Sequence, residues 1–228
     1  MATVYHSVLA DLGPRIASGL LPAGAVITLE WLGERYGVSR TIAREVVQVL
    51  ASMHLVESRR RTGIRILPED EWDAFDPALI RWRLEGEGRR EHLHELSQLR
   101  AAVEPTSAAL AAERADASQR AEVVRLAELM EVSGGAGDLA TFLEQDVAFH
   151  RLLLRASGNT MFSALSDVVE EVLRGRTGHD LMPPTPKPEA RQLHRMVADA
   201  VAAGEPEVAR VAMSAICVEV VSELGRTS

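Results

Sequence analysis

The stretch that decides the fold reads LGERYGVSRTIAREVVQVLASMHLVESRRRTGIRI and covers residues 32–66. It consists of a short helical segment, a glycine turn, a longer helical segment that begins after Ser39, and two extended runs around Gly63. Serine is a favoured N-cap residue and glycine suits a tight turn, so the local signals agree with the helical spacing of the apolar residues that follow. This pattern predicts a helix-turn-helix followed by a two-stranded wing.

The second helix of this motif presents Arg40 and Arg44 on one side, with Thr41 between them in sequence, because residues i and i+4 share a helix face. Such a face can hold phosphates and read base edges, or it can be a solvated surface. The 228-residue chain has a net charge of −8, but its first 68 residues carry eight Arg against five acidic residues, and the remainder carries 17 basic against 28 acidic residues. This asymmetry favours a nucleic-acid module joined to another domain.

The overall composition narrows the class of protein. Apolar residues make up 46% of the chain, which is enough for a packed core. Cys217 is the one cysteine, so no intramolecular disulfide can form, and this fits a reducing compartment. The N-terminal residues have no signal-peptide pattern, and no 18-residue run is free of charge. We therefore expect a cytoplasmic protein that has no membrane partner.

The chain from about residue 89 onward has only helical patterns. Alanine is abundant, β-branched runs are few, and Gly, Ser or Asn separates most of the segments. The expected fold is mainly α: a winged helix-turn-helix followed by an all-α antiparallel bundle of six or seven helices. We predict a DNA-binding domain at residues 1–68, a linker with the first bundle helix at 69–88, and an effector-binding and dimerisation domain at 89–228.

Four polar residues interrupt the apolar faces of the predicted bundle. Asp146 and His150 are four residues apart on one stripe, and His194 and Arg100 each lie on the apolar face of another helix. A carboxylate that faces a core is paired, hydrogen-bonded or bound to metal. Two interpretations stay open from spacing alone. Either a divalent metal binds Asp146, His150 and His194, or Asp146 pairs with Arg100 beside two hydrogen-bonded core histidines.

The first part of the chain resembles the winged helix-turn-helix of the GntR family, because the turn, the VSRT…RE helix and the wing glycine occur in the same order. The resemblance implies that double-stranded DNA is read in the major groove by Ser39, Arg40, Thr41 and Arg44. It also implies a wing near the minor groove, formed by Arg59, Arg60, Arg61 and Gly63. The chain departs from the family at Glu30, where many relatives carry an Arg that is available for a DNA contact.

The bundle resembles the FCD effector domain of the FadR-like GntR subfamily, in RAAVEPTSAALAAERA and DVAFHRLLLRASGN. Residues 68–86 resemble the linker of the members near the galactonate-operon repressor. In many FCD domains, an Asp and a His at this spacing bind a divalent metal with two further histidines. The first of these matches His194, and the second is replaced by Ile216. The resemblance thus implies a three-ligand site, most readily for zinc or nickel, with Arg100 beside it to bind a small carboxylate or sugar-acid effector.

Three classes of function compete for this combination. The leading interpretation is a ligand-responsive transcription regulator, which we expect to be a homodimer that represses a carbon-source operon from a near-palindromic operator. A metal-dependent enzyme of the two-His-one-carboxylate type is the alternative, but the sequence has a winged helix and no obvious nucleophile or general base. A purely architectural DNA-binding protein is the third, but it would not need a polar-lined bundle. The transcription-regulator interpretation accounts for both the winged helix and the polar residues of the bundle.

Overall fold

The computed structural model describes residues 2–59, 62–178 and 187–225, and the chain forms two compact units, residues 1–89 and 90–228. The first unit contains four helices and three strands in its described residues: α1 (Ala2–Ala17), β1 (Val26–Ile27), α2 (Leu29–Tyr36), α3 (Arg40–Ser52), β2 (Val56–Arg59), β3 (Gly63–Ile66) and α4 (Pro77–Glu85). A single 3-10 turn, Glu69–Glu71, precedes α4. The winged helix-turn-helix prediction is confirmed.

The helix-turn-helix is defined by local capping. The side chain of Thr28 accepts a hydrogen bond from the backbone of Trp31 at 3.1 Å and begins α2. The side chain of Ser39 accepts from the backbone of Ile42 at 3.3 Å and begins α3. Gly37, between them, ends α2 in the left-handed conformation with φ of 64°. These caps satisfy backbone groups that the helix ends leave unpaired, so the turn is specified by adjacent residues.

The wing is part of a three-stranded antiparallel sheet with the strand order β1-β3-β2. Glu57 and Arg65 lie opposite each other on β2 and β3, and their side chains pair at 2.6 Å. Gly63 begins β3 with φ of 106°, and a Cβ atom there would lie 2.9 Å from the carbonyl oxygen of Ile27. Both the backbone angle and the close approach require glycine at this position.

Helix α4 packs against α1 within the first unit. The ring of Trp82 lies directly over Gly13, where any Cβ atom would overlap it, and Leu79 is buried in the same core. The sequence interpretation puts a first bundle helix in residues 69–88, whereas this helix contributes to the core around α1. Gly13 has no side chain, which leaves room for the indole of Trp82 against α1.

The second unit is helical throughout its described residues, and the prediction of an all-α bundle is confirmed. Its seven helices are α5 (Arg89–Arg114), α6 (Ala117–Ala136), α7 (Leu139–Ala156), α8 (Thr160–Ala164), α9 (Ser166–Gly178), α10 (Pro188–Ala203) and α11 (Pro206–Gly225). Helix α6 contacts α7 and α10, α7 contacts α9, and α10 contacts α11. Phe149 is fully buried in the main core, which also contains Ile216. Within the described residues, no helix is both long enough and apolar enough to span a bilayer.

Candidate metal centre and nucleic-acid interface

The structure brings Asp146, His150 and His194 together in the interior of the second unit. Asp146 and His150 lie one turn apart on α7, and His194 faces them from α10. Oδ1 of Asp146 is 3.2 Å from Nε2 of His150 and 3.1 Å from Nε2 of His194. All three residues are buried, and one ligand atom from each lies within 4.8 Å of the others. The three residues that the sequence predicts as metal ligands therefore lie next to one another in the folded chain.

Aromatic rings form an apolar wall around this point. Phe149 meets His194 and His150 edge to face, with ring centroids 5.4 Å and 5.8 Å apart, and Phe142 meets His194 at 6.5 Å. The two imidazoles also meet each other at 5.6 Å, nearly perpendicular. Charged groups within such a wall are poorly solvated, so the site needs internal neutralisation.

The polar atoms at the centre of the cluster are close together but poorly hydrogen-bonded. Oδ1 of Asp146, Nε2 of both histidines and Nδ1 of His150 make no well-directed hydrogen bond to any described residue. The other ring nitrogen of His194, Nδ1, donates to the carbonyl oxygen of Ala190 at 2.7 Å, which makes Nε2 the nitrogen with a free lone pair in the neutral ring. When both imidazoles are neutral with the proton on Nδ1, their Nε2 lone pairs converge with Oδ1 of Asp146 and suit a cation, and this donor set fits zinc, nickel or a similar divalent metal.

Without a metal, protons on the imidazoles must balance the negative charge of the buried carboxylates. Burial favours the neutral forms, but the carboxylates of Glu104 and Asp146 outweigh it and raise the pKa of His150 to about 9. Burial likewise opposes ionisation of Asp146, yet the two imidazoles hold the pKa of its carboxyl well below its usual range. A metal would therefore take the place of a proton on His150.

Arg100 has a different partner from the one that the non-metal interpretation assigns to it. Its Nε and Nη2 bind the two carboxylate oxygens of Glu104, one turn along α5, at 2.5 Å and 3.2 Å, and both side chains are only 2% exposed. The proposed Asp146–Arg100 salt bridge is thus replaced by an Arg100–Glu104 pair. Burial opposes ionisation of Glu104, but Arg100 and His150 outweigh it and lower the pKa of its carboxyl to about 2.

Glu104 was not apparent as a site residue in the sequence. The available signal is its position four residues after Arg100, on the same helix face. That spacing usually describes an exposed ion pair of small energetic value. The structure instead places Oε2 of Glu104 2.5 Å from Nδ1 of His150, so this carboxylate connects Arg100 to the three-residue cluster.

The predicted DNA-binding residues surround α3 and the wing of the first unit. A groove of about 570 Å³ is lined by Arg40, Arg44, Arg59 and Gly63. Ser39 and Thr41 line an adjacent depression beside α3.

Gln48 lies one turn after Arg44 on an exposed face of α3. It borders both the groove and the depression, and it is an additional candidate for base contact. Arg60 and Arg61 lie outside the described residues.

Acidic residues modify this basic groove. Glu30 lies 3.6 Å from Arg40, and both side chains are exposed, at 65% and 67%. Glu57 holds Arg59 at 2.9 Å as well as Arg65. At position 30 the first helix of the motif therefore lacks the Arg of many relatives and also carries a negative charge. It places a carboxylate beside Arg40, the first residue of α3.

Comparison with known protein families finds a matching family for each of the two units. Residues 4–66 match the gntR family of bacterial regulatory proteins, and residues 95–218 match the FCD domain. The chain is 29% identical over 196 residues to the galactonate operon transcriptional repressor of Escherichia coli K12, with 85% of each chain covered. It is 30% identical over 217 residues to the probable D-xylose utilization operon transcriptional repressor of Paenarthrobacter nicotinovorans, with 93% of this chain and 84% of the other covered.

A solved structure shares the same fold. It is that of Lar, a protein that controls the expression of the Listeria monocytogenes agr system. The similarity covers 98% of this chain and 97% of the other, with a TM-score of 0.66 and 15% sequence identity.

Proposed function

Since the chain belongs to the GntR family of DNA-binding transcription regulators, in the FadR-like subfamily with an FCD domain, we propose that it represses a carbon-source operon. Two relatives bear names that refer to galactonate and D-xylose operons, which supports a small organic or sugar acid as the signal. The members of this family regulate transcription, so the enzyme alternative of the two-His-one-carboxylate type does not apply. The remaining question is how the bundle detects the acid.

The proposed DNA contacts follow from the groove around α3. Arg40 and Arg44 are exposed at the start of the helix and suit guanine edges or phosphates. Ser39 and Thr41 suit phosphate contacts from the adjacent face. The wing residues Arg59, Arg60, Arg61 and Gly63 would approach the minor groove. A homodimer would present two such units to half-sites about one helical turn apart or less, so the operator should be a near-palindrome.

The proposed sensor is a divalent metal held by Asp146, His150 and His194, with zinc or nickel as the first candidates. The observation that carries this proposal is the convergence of three buried ligand atoms that lack hydrogen-bond partners among the described residues. Buried imidazole and carboxylate groups are the usual ligands of these metals. Ile216, in the apolar core, stands where relatives offer a further histidine, so three protein ligands leave at least one coordination position for an acid.

The proposed effector is a small acid that uses this position and the charge of Arg100. The guanidinium is close enough to Asp146 for their charges to interact, and its pKa is raised because the attraction of Glu104 outweighs burial. Arg100 therefore remains a cation inside an apolar bundle. A carboxylate bound at the metal would gain from both positive centres.

This function is tested by effector-dependent DNA binding. An operator selected from random duplex DNA by the purified protein would be titrated by fluorescence anisotropy, with and without millimolar D-galactonate, other aldonates and non-acidic sugars as the control. We expect at least one acid to weaken DNA binding and the neutral sugars to leave it unchanged. If the whole panel of acids leaves the affinity unchanged, the sugar-acid proposal is wrong.

A further inference from the structure

Glu104 occupies a position between the candidate metal centre and Arg100. Its carboxylate is 2% exposed and has neighbours on two sides. Oε1 accepts from Nε of Arg100 at 2.5 Å, whereas Oε2 accepts from Nη2 of Arg100 at 3.2 Å and lies 2.5 Å from Nδ1 of His150. Both oxygens are therefore occupied, and the residue is held in place by a planar guanidinium.

The short contact between Glu104 and His150 determines the state of the imidazole. A nitrogen lone pair 2.5 Å from a carboxylate oxygen would be strongly repelled, so Nδ1 must carry the proton. Nε2 is then the nitrogen available to a metal, and it is the one that faces Asp146 at 3.2 Å. Histidines that bind metals usually donate their other N–H to a carboxylate or a carbonyl, which sets the tautomer and the ring orientation.

The second histidine has the equivalent support from the backbone. Nδ1 of His194 donates to the carbonyl oxygen of Ala190 at 2.7 Å, and Nε2 faces Asp146 at 3.1 Å. Both imidazoles thus have an oxygen acceptor close to Nδ1, and both present Nε2 to the same oxygen of Asp146. The support of His194 comes from a backbone atom, so the support of His150 is the one that a substitution can remove.

We infer that Glu104 is a positioning residue of the metal centre, which holds His150 with Nε2 directed at the metal and which is itself held by Arg100. This inference rests on the proposed metal site. Glu104 would act through His150 and would not itself be a ligand of the metal. Arg100 consequently supports the centre through Glu104, in addition to any contact that it makes with an acid.

The test must separate positioning from general loss of stability. Glu104→Gln alone would leave Arg100 as an unpaired buried charge, which is strongly destabilising. The double variant Arg100→Gln/Glu104→Gln removes both charges and keeps the side-chain volume close to that of the wild type. As a control for the loss of one ion pair elsewhere in the bundle, Glu131→Gln/Arg191→Gln removes a more exposed pair between α6 and α10.

Zinc and nickel affinities of the metal-free full-length protein would be measured by competition with a chromophoric chelator. We expect about a 10- to 100-fold loss of affinity in the Arg100→Gln/Glu104→Gln variant, the usual effect of removing such a support, and no change in the control. Glu104→Asp, which keeps the charge but withdraws it from His150, should fall between the wild type and the double variant, and it provides the test if the double variant does not fold.

A second measurement reports directly which ring nitrogen of His150 is protonated and which binds the metal. In the zinc-loaded wild type, the 15N NMR spectrum should show Nδ1–H and metal-bound Nε2 for His150, and this assignment should be lost or mixed in the double variant. If the wild type binds zinc and the double variant binds it equally well with the same spectrum, Glu104 has no positioning role and the metal proposal stands. If the wild type binds neither metal, both the metal proposal and this inference are wrong.

Discussion

His150 lies between two carboxylates, with Glu104 at 2.5 Å from one ring nitrogen and Asp146 at 3.2 Å from the other. Its folded-state pKa of about 9 is above the ordinary value of 6.5, because the carboxylates outweigh burial. The protonated ring therefore stabilises the metal-free protein fully below about pH 6.5, and this contribution is lost as the pH rises through 9. A metal that binds this residue must first displace the proton.

We predict that zinc uptake at pH 7 releases about one proton from His150 and that the apparent affinity rises with pH up to about 9. Isothermal titration in two buffers of different ionisation enthalpy would measure the released protons. The variant His150→Ala serves as the control and should lose both the affinity and the release. Proton release equal to zero in the wild type would contradict the proposed coordination of His150.

Arg40 is the residue of the DNA interface with the clearest expected effect. It is exposed at the first position of α3, and a bidentate contact with guanine contributes about 1–3 kcal/mol. Arg40→Ala should therefore weaken operator binding by that amount and relax the base preference at one position. Arg125→Ala removes the same charge from an exposed pair with Glu122 in the other unit and should have no such effect. Unchanged operator affinity of Arg40→Ala would exclude it from the reading face.

Glu30 should act in the opposite direction, since it competes for the same guanidinium at 3.6 Å. We predict that Glu30→Gln raises the affinity for DNA and steepens its dependence on salt, because one more positive charge becomes available to phosphates. Affinity measured at several salt concentrations would test this. A weaker complex would indicate instead that Glu30 accepts a hydrogen bond from a base.

At the scale of elements, the sequence predicted what local residues determine. Thr28, Ser39 and Gly37 define α2 and α3 through neighbouring backbone groups, so the helix-turn-helix could be derived from them. Helix α4 could not be assigned in this way. Its location depends on the fit of Trp82 over Gly13, a contact between residues far apart in sequence.

The candidate metal site shows the same division between local and distant signals. Asp146 and His150 could be paired from their spacing on α7, and the inward face of His194 could be read from the periodicity of α10. The role of Glu104 could not be derived, because an Arg and a Glu at i,i+4 usually form a solvated pair. Only the packing of α5 against α7 shows that this pair is buried beside His150.

The wing strand β3 offers a test of its own. Gly63→Ala should destabilise the first unit by more than about 1 kcal/mol, because the new Cβ both occupies a left-handed conformation and overlaps the carbonyl of Ile27. Gly24→Ala is the matched control, since it has φ of 82° and no atom within 4 Å of the added group, so it carries the backbone strain alone. Thermal unfolding of the two variants would be compared. An equal effect at both positions would mean that the packing at Gly63 contributes nothing.

At the scale of the whole molecule, an acidic chain must bind an acidic polymer. Its net charge is −8, but in the first 68 residues the Arg side chains outnumber the acidic ones. Binding therefore depends on presenting that part of the chain to DNA. We predict a homodimer that binds one near-palindromic operator with two chains per duplex, because a single winged helix makes few base contacts. Sedimentation velocity with and without operator would measure this. A monomer at micromolar concentration in both conditions would contradict the proposed dimer.

The central claim is that a metal on Asp146, His150 and His194 links an acid in the bundle to DNA binding by the first unit. Its most direct test is the operator affinity of zinc-loaded and chelator-stripped protein, each measured with and without the acid identified by screening. We predict that the acid changes the affinity of the loaded protein by about 5- to 150-fold, the usual range of allosteric coupling, and that it has little effect on the stripped protein or on His150→Ala. An equal acid response with and without metal, or native protein that contains no metal and gains no stability from zinc or nickel, would contradict the claim.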